Sequence, residues 1–125
     1  MSAMMLALAG ARPAAGAAGG VTPNALPWKV IYGITPASTQ PLQVTGITNP
    51  ITVSASLAGG ASLAHILNGA VTAYSGPFVV NLNDYLAWQV SGAFGTDYSG
   101  TITVTNTTDS GALLAHVTYI LHGSF

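Results

Sequence analysis

The sequence predicts an all-β protein, a single antiparallel β-sandwich with an extended N-terminal arm. Short segments of alternating apolar and polar residues recur along the chain, and clusters of Gly, Asn, Asp and Pro separate them. No segment keeps a helical period over about 11 residues, which argues against α-helices. The 125 residues are enough for one domain with its own hydrophobic core.

Residues 1–24 form the predicted arm, because their composition differs from that of the rest of the chain. Residues 14–20 consist of Ala and Gly alone, and four apolar residues lie near the start: Met4, Met5, Leu6 and Leu8. No Lys or Arg precedes this apolar segment, and the segment is shorter than the core of a typical signal peptide. We therefore expect these four residues to anchor the arm on a neighbouring subunit or partner. A retained signal peptide and a tail that packs on its own domain are the alternatives.

Residues 25–125 are assigned to the sandwich domain, which begins after a proline-rich hinge. Proline disfavours helix in the residue before it, so the hinge is expected to be extended. The first predicted strand is Trp28–Tyr32, with Trp28, Val30 and Tyr32 on one face because side chains alternate along a strand.

The later strands are separated by turn-forming residues. Ile51–Leu57 has the clearest alternation, and Asn68-Gly69 favours a type I′ hairpin turn between two strands. Trp88 lies on an alternating segment and is predicted to be the core tryptophan. The strands predicted after the first are Leu42–Thr45, Ile51–Leu57, Ala64–Leu67, Ala70–Tyr74, Phe78–Leu82, Leu86–Val90, Thr101–Thr105 and Ala112–Leu121.

The charge content is very low. Only 4% of the residues are charged, where soluble domains usually contain about 25%. Little charge repulsion separates the copies of such a chain, which suits a subunit whose faces are covered in an assembly. Its two cations, Arg12 and Lys29, are too few to neutralise nucleic-acid phosphates. No apolar run approaches about 20 residues, so no membrane-spanning helix is predicted.

The sequence indicates no catalytic chemistry. The three carboxylates, Asp84, Asp97 and Asp109, lie in predicted turns, where Asp bonds local backbone amides. The absence of Cys excludes thiolate chemistry. His65, His116 and His122 are expected to be surface or interface residues. We therefore predict no catalytic, cofactor-binding or metal-binding residues, and no enzyme.

Several motifs in the second half of the chain resemble, in order, immunoglobulin-like β-sandwich modules of phage virions and bacterial surface proteins. They are Ile66–Gly69, Ser75–Val80, Asn81–Trp88 and Tyr98–Val104. In length, arm composition and low charge, the chain is also similar to small decoration or cement proteins of tailed-phage heads. The resemblance implies a fold and a location. An eight-stranded jelly roll would give nearly the same strand pattern, so the topology stays open.

The resemblance and the composition together predict a structural virion protein that decorates or cements a phage capsid. The expected partners are other copies of the chain, as a trimer or another closed homo-oligomer, and a major capsid protein, without nucleic acid or membrane. Tyr85, Phe94 and Tyr98, in or near loops, are expected to serve an interface. The alternatives are a secreted adhesin or filament subunit, and a glycan-binding module that uses these three aromatic residues.

Overall fold

A computed structural model describes residues 20–123 of the chain. Within this range the chain forms ten β-strands and no α-helix, which confirms the all-β prediction. A 3₁₀ turn, Thr107–Asp109, joins the last two strands. The strands are β1 (Ile31–Ile34), β2 (Ala37–Ser38), β3 (Leu42–Gln43), β4 (Ile51–Leu57), β5 (Ser62–Leu67), β6 (Ala70–Ala73), β7 (Phe78–Val80), β8 (Tyr85–Ser91), β9 (Tyr98–Asn106) and β10 (Ala112–His122).

The strands form two sheets. Sheet A has the order β1-β10-β9-β4-β7, and sheet B has the order β2-β8-β5-β6, with β3 also paired to β8. Strand β1 pairs parallel with β10, so the prediction of antiparallel pairing throughout is wrong at this edge. Two parallel strands need a long connection between them. Here β2 to β9 lie between β1 and β10 in the sequence.

The core fills the space between the two sheets. Trp88 is 0% exposed, which confirms its predicted place in the core. The Trp28 and Trp88 rings meet edge to face, with centroids 5.8 Å apart and planes at 81°. The Trp28 indole N–H donates to the carbonyl oxygen of Leu86 at 2.9 Å. This bond lets a polar group from the start of the domain be buried beside β8 without a desolvation penalty.

The first strand begins later than predicted, at Ile31. Trp28 is buried at 7% exposure, whereas Val30 and Tyr32 are 59% and 70% exposed, so these three residues do not share a face. Lys29 and Val30 are both exposed, so the alternation is interrupted between Trp28 and Ile31, before pairing starts. The predicted orientation of the strand was therefore wrong.

Two predicted elements are confirmed closely. Strand β4 has the predicted bounds, and its alternating pattern places Ile51 and Val53 in the core. Asn68 and Gly69 have φ values of 51° and 86°, the left-handed conformations that a type I′ turn requires. The hairpin of β5 and β6 thus forms where the Asn-Gly pair predicts it.

The described end of the predicted arm lies against the sandwich. The Thr48 N–H donates to the Gly20 carbonyl at 3.0 Å, and the Asn24 N–H donates to the Thr45 carbonyl at 2.8 Å. Residues 20–24 are therefore bound to the segment that leads into β4. This fixes the point from which the preceding residues depart.

Candidate interaction surfaces

An exposed apolar strip lies along the β1 edge of sheet A. Tyr32 pairs with Ile120 across the β1–β10 ladder, and Ile34 follows Tyr32 on the same face. Adjacent apolar side chains on a surface mark an interaction site more than isolated ones do. We call four residues the edge strip: Val30, Tyr32, Ile34 and Ile120, exposed by 59%, 70%, 42% and 39%.

His122 borders the edge strip. Its ring meets the ring of Tyr32 nearly edge-on, with centroids 5.4 Å apart. Its Nδ1 lies 3.7 Å from Oδ2 of Asp97, whose side chain is 70% exposed, and Oδ1 of Asp97 accepts from the Gly123 N–H at 3.2 Å. An exposed pair of this kind contributes little stability. The contact between His122 and Asp97 therefore lies at the surface, and the Asp97 carboxylate also accepts a hydrogen bond from a backbone N–H.

Beyond the strip, the outer face of sheet A carries a band of hydroxyl groups on β4 and β9, which we call the hydroxyl face. The exposed apolar residues Val79 and Leu113 border it. Thr101, Thr103 and Thr105 alternate along β9 with buried residues. Ser56 and Ser54 of β4 lie directly opposite Thr103 and Thr105. Because these side chains are neutral, the face exerts no charge repulsion on a second copy of the chain.

A groove of about 460 Å³ lies on the outer face of sheet B. Its floor contains Ile66 and Ala87, which are directly opposite each other on β5 and β8. The volume lies in the range of about 300–1,000 Å³ that is usual for binding clefts. Ser38, Pro41, Asn68 and Tyr85 also line the groove. The side chains that line the groove are apolar or neutral, so an apolar occupant suits it best.

Hydrogen bonds between two turns hold one end of the groove. Asn68 Nδ2 donates to Oδ1 of Asp84 at 3.0 Å, and the Tyr85 N–H donates to Oδ1 of Asn68 at 2.9 Å. Oδ2 of Asp84 also accepts from the Asn81 N–H at 2.8 Å. Asp84 thus bonds local backbone, as predicted for a turn carboxylate. The two groove residues Asn68 and Tyr85 are fixed relative to each other.

The three predicted aromatic contact residues do not form one platform. Tyr85 starts β8 and lines the groove. Phe94 is 69% exposed in the loop after β8. The hydroxyl of Tyr98 accepts from the Ala93 N–H at 3.2 Å in the same loop. Since β8 spans roughly 20 Å, Tyr85 lies at the opposite end of the sandwich from Phe94 and Tyr98.

His65 faces the core, so the prediction of a surface or interface residue is wrong for this histidine. It lies opposite Trp88 on the inner face of sheet B, and its ring stacks on Phe78 at 3.9 Å between centroids and 8° between planes. Tyr74 meets it edge-on at 6.5 Å. Its Nδ1 is buried without a hydrogen-bond partner. Burial lowers the pKa of His65 from its ordinary value of 6.5, because desolvation disfavours the imidazolium.

The predicted arm contacts Met4, Met5, Leu6 and Leu8 lie outside the described residues. Within residues 20–123, no cluster of three or more His, Asp or Glu side chains could bind a metal ion. In the same part of the chain, no helix has the length and apolar character needed to cross a membrane.

These surfaces define an all-β, sandwich-like protein with an apolar strip on one sheet and an apolar groove on the other. No family model, curated protein or solved structure matches the chain. The function is therefore argued from these surfaces and from the composition. The sequence did not predict the strip, because Ile120 reaches Tyr32 only through the pairing of β1 with the distant strand β10.

Proposed function

We propose that the chain is a structural subunit that decorates or cements a phage capsid, and that it acts by contact and not by catalysis. The edge strip is the observation that carries this proposal. It is an exposed apolar surface on a chain with 4% charged residues, so few charges lose hydration when it is buried against a neighbour.

The strand order supports a virion location. Strand β4 pairs with β9 and β7, while β5 pairs with β8 and β6, so one set of pairings is nested inside the other. This nesting favours a jelly roll over an immunoglobulin-like sandwich, with β10 inserted between β1 and β9. Jelly rolls are common in viral capsid proteins, and also in lectins, so the fold supports the proposal without deciding it.

The carboxylates support a role without catalysis. Each of the three accepts a hydrogen bond from a nearby group: Asp84 from the Asn81 N–H, Asp97 from the Gly123 N–H and Asp109 from the Thr22 hydroxyl. They lie in different turns, so no two share a site. Asp84 and Asp97 thus hold backbone amides and Asp109 holds a hydroxyl, and carboxylates engaged in this way are poorly suited to exchange protons with a substrate.

The edge strip would be one contact among several. Covering its four side chains would contribute on the order of 5–10 kcal/mol, whereas association costs about 4–15 kcal/mol in lost freedom. The strip alone therefore gives marginal affinity. In the proposed assembly the remaining contacts come from residues 1–24 and from the hydroxyl face, made with other copies in a closed homo-oligomer or with a major capsid protein.

Light scattering on the full chain tests the assembly. We expect a closed oligomer, such as a trimer, that the double variant Tyr32→Lys/Ile120→Lys converts to a monomer. Val71→Lys is the matched control, because Val71 is 55% exposed on β6 and lies outside the strip. A wild-type monomer across the accessible concentration range would remove the homo-oligomer from the proposal.

A second measurement separates the virion location from secretion. We expect peptides of this chain in density-purified virus particles, with residues 2–10 retained. Recovery in the cell-surface or secreted fraction with those residues removed would favour the adhesin or filament alternative instead.

A further inference from the structure

The groove on sheet B suits an apolar occupant, because its lining is apolar or neutral. Its floor pair, Ile66 and Ala87, lies on the face of the sheet that points away from the core. Ala87 is nevertheless only 2% exposed, so it sits deep between its neighbours. A cleft of this depth and volume matches a few aliphatic side chains better than a flat protein surface.

We infer that in the free chain this groove binds the chain's own N-terminal apolar residues Met4, Met5, Leu6 and Leu8. Methionine and leucine fill irregular apolar clefts readily, because both side chains are flexible or compact and carry no charge. The segment is uninterrupted by charge up to Arg12. Docking in the groove would shield these apolar side chains from water. The low charge of the chain otherwise gives them little protection against association.

The chain is long enough to reach. Gly20 is fixed beside Thr48 by the 3.0 Å bond from the Thr48 N–H. The path from Thr48 to Pro41 at the groove covers at most about 25 Å, and the segment from Leu8 to Gly20 can cover about 40 Å. The four apolar residues belong to the same chain as the groove, so their effective concentration at the groove is near the millimolar range. This favours binding within one chain over binding to a separate copy.

Charge supports the same placement. Asp84 accepts a hydrogen bond from Asn68, which lines the groove. Arg12 follows Leu8 by four residues, a span of at most about 14 Å. With Leu8 in the groove, Arg12 can therefore approach Asp84, and the two opposite charges attract.

Disulfide trapping in the full chain tests the contact, because the natural sequence contains no cysteine. The test variant is Leu6→Cys/Ser38→Cys, with Ser38 at the groove wall. The control is Leu6→Cys/Ser56→Cys. Ser56 is also exposed and is no farther from Thr48 along the chain, but it lies on the hydroxyl face of sheet A. Both variants are oxidised under the same conditions and analysed by intact mass and non-reducing gels.

We expect the intrachain disulfide to Ser38→Cys to form roughly tenfold faster than the one to Ser56→Cys, as docking raises the local concentration. Adding Ile66→Asn to the test variant should reduce its rate to that of the control. Equal rates in the two pairs, or a rate that Ile66→Asn leaves unchanged, would overturn the inference. Disulfide-linked dimers would overturn it as well, by showing that the segment docks on a second copy.

The inference does not rest on the proposed assembly. A chain that is monomeric by light scattering but forms the Ser38→Cys disulfide rapidly would keep the groove contact and lose the closed homo-oligomer. A stable oligomer in which both disulfides form slowly would keep the closed homo-oligomer and lose the groove contact.

Discussion

Asn68 and Asp84 join two turns that β6 and β7 separate in the chain. The Asn68 amide donates to the Asp84 carboxylate at 3.0 Å, while the same carboxylate accepts the Asn81 N–H. The β5–β6 turn and the β7–β8 turn are thereby held together at one end of the groove. A single carboxylate thus stabilises two loops.

Replacing Asp84 with Ala should destabilise the fold by about 1–3 kcal/mol, because two donors lose a charged acceptor. The control is Asp97→Ala, since Asp97 is 70% exposed at the side chain and bonds one backbone N–H at 3.2 Å. Its effect should stay within about 1 kcal/mol. Urea unfolding at pH 7 measures both. Equal losses in the two variants would contradict the role given to Asp84.

His65 should make stability depend on pH. Its pKa in the folded protein is lowered from 6.5 by burial against Phe78, so the unfolded chain binds a proton more readily than the folded one. The stability is therefore fully present above pH 6.5 and is lost as the pH falls through the folded pKa. Thermal unfolding between pH 7.5 and pH 5 should show this decrease.

The variant His65→Leu tests the source of that decrease. Leucine keeps an apolar group between the sheets but removes the ionisable ring, so the loss of stability on acidification should become smaller. His116→Asn is the control, because His116 is exposed on β10. An acid-dependent loss that persists unchanged in His65→Leu would assign it to other groups.

Two strand glycines should respond in opposite ways to substitution by alanine. A Cβ at Gly100 would collide with the Ala58 carbonyl and approach the Tyr119 hydroxyl, whereas a Cβ at Gly33 would meet Ala37 at an ordinary 3.7 Å. Gly100→Ala should lower the free energy of unfolding by about 1–3 kcal/mol. Gly33→Ala should be neutral or raise it by up to about 1 kcal/mol. Chemical denaturation of both variants compares them directly.

Asn106 fixes the start of the described chain to the sandwich. It is 0% exposed, its amide N–H donates to the Val21 carbonyl, and its oxygen accepts from the Thr108 N–H at 3.1 Å. The isosteric change Asn106→Asp removes the donor and places a carboxylate against the carbonyl of Val21. We expect a loss of about 2–4 kcal/mol at pH 7.

Asn83→Asp is the matched control for Asn106→Asp. Asn83 is exposed, and its oxygen accepts from Gln43 Nε2 at 3.4 Å, a role that aspartate retains. Its stability should change by less than about 0.5 kcal/mol. Hydrogen exchange should also show faster opening of residues 20–24 in Asn106→Asp alone. Similar behaviour of the two variants would argue against the Asn106–Val21 contact as the anchor.

Local patterns in the sequence predicted the elements that local physics determines. Strand β4 alternates without interruption, and Asn68-Gly69 supplies the left-handed pair that its turn needs, so both were predicted correctly. Trp28 and Ile31 are both buried although they are three positions apart. That spacing fits no strand period, because Lys29 and Val30 are both exposed, so the face of the first strand was predicted wrongly.

The groove and the edge strip could not be predicted, because both depend on which strands are neighbours. Ser38 lines the groove only since β2 pairs with β8, and Ile120 reaches Tyr32 only since β1 pairs parallel with β10. Such pairings join residues distant in the chain, and no single segment carries a signal for them. Tyr85 was predicted to be a contact residue. Its separation from Phe94 and Tyr98 could not be predicted, because it also depends on how the strands are arranged.

The position of β10 also determines when sheet A can be completed during synthesis of the chain. Within the described residues, β10 is the sheet partner of β1 and lies between β1 and β9. When a nascent chain has emerged only as far as the 3₁₀ turn, Ile31 and the inner side chains of β9 therefore lack the neighbouring strand β10. Sheet A closes late, after residues 112–122 leave the ribosome, and until then the chain exposes surface on which chaperones or other nascent copies can act.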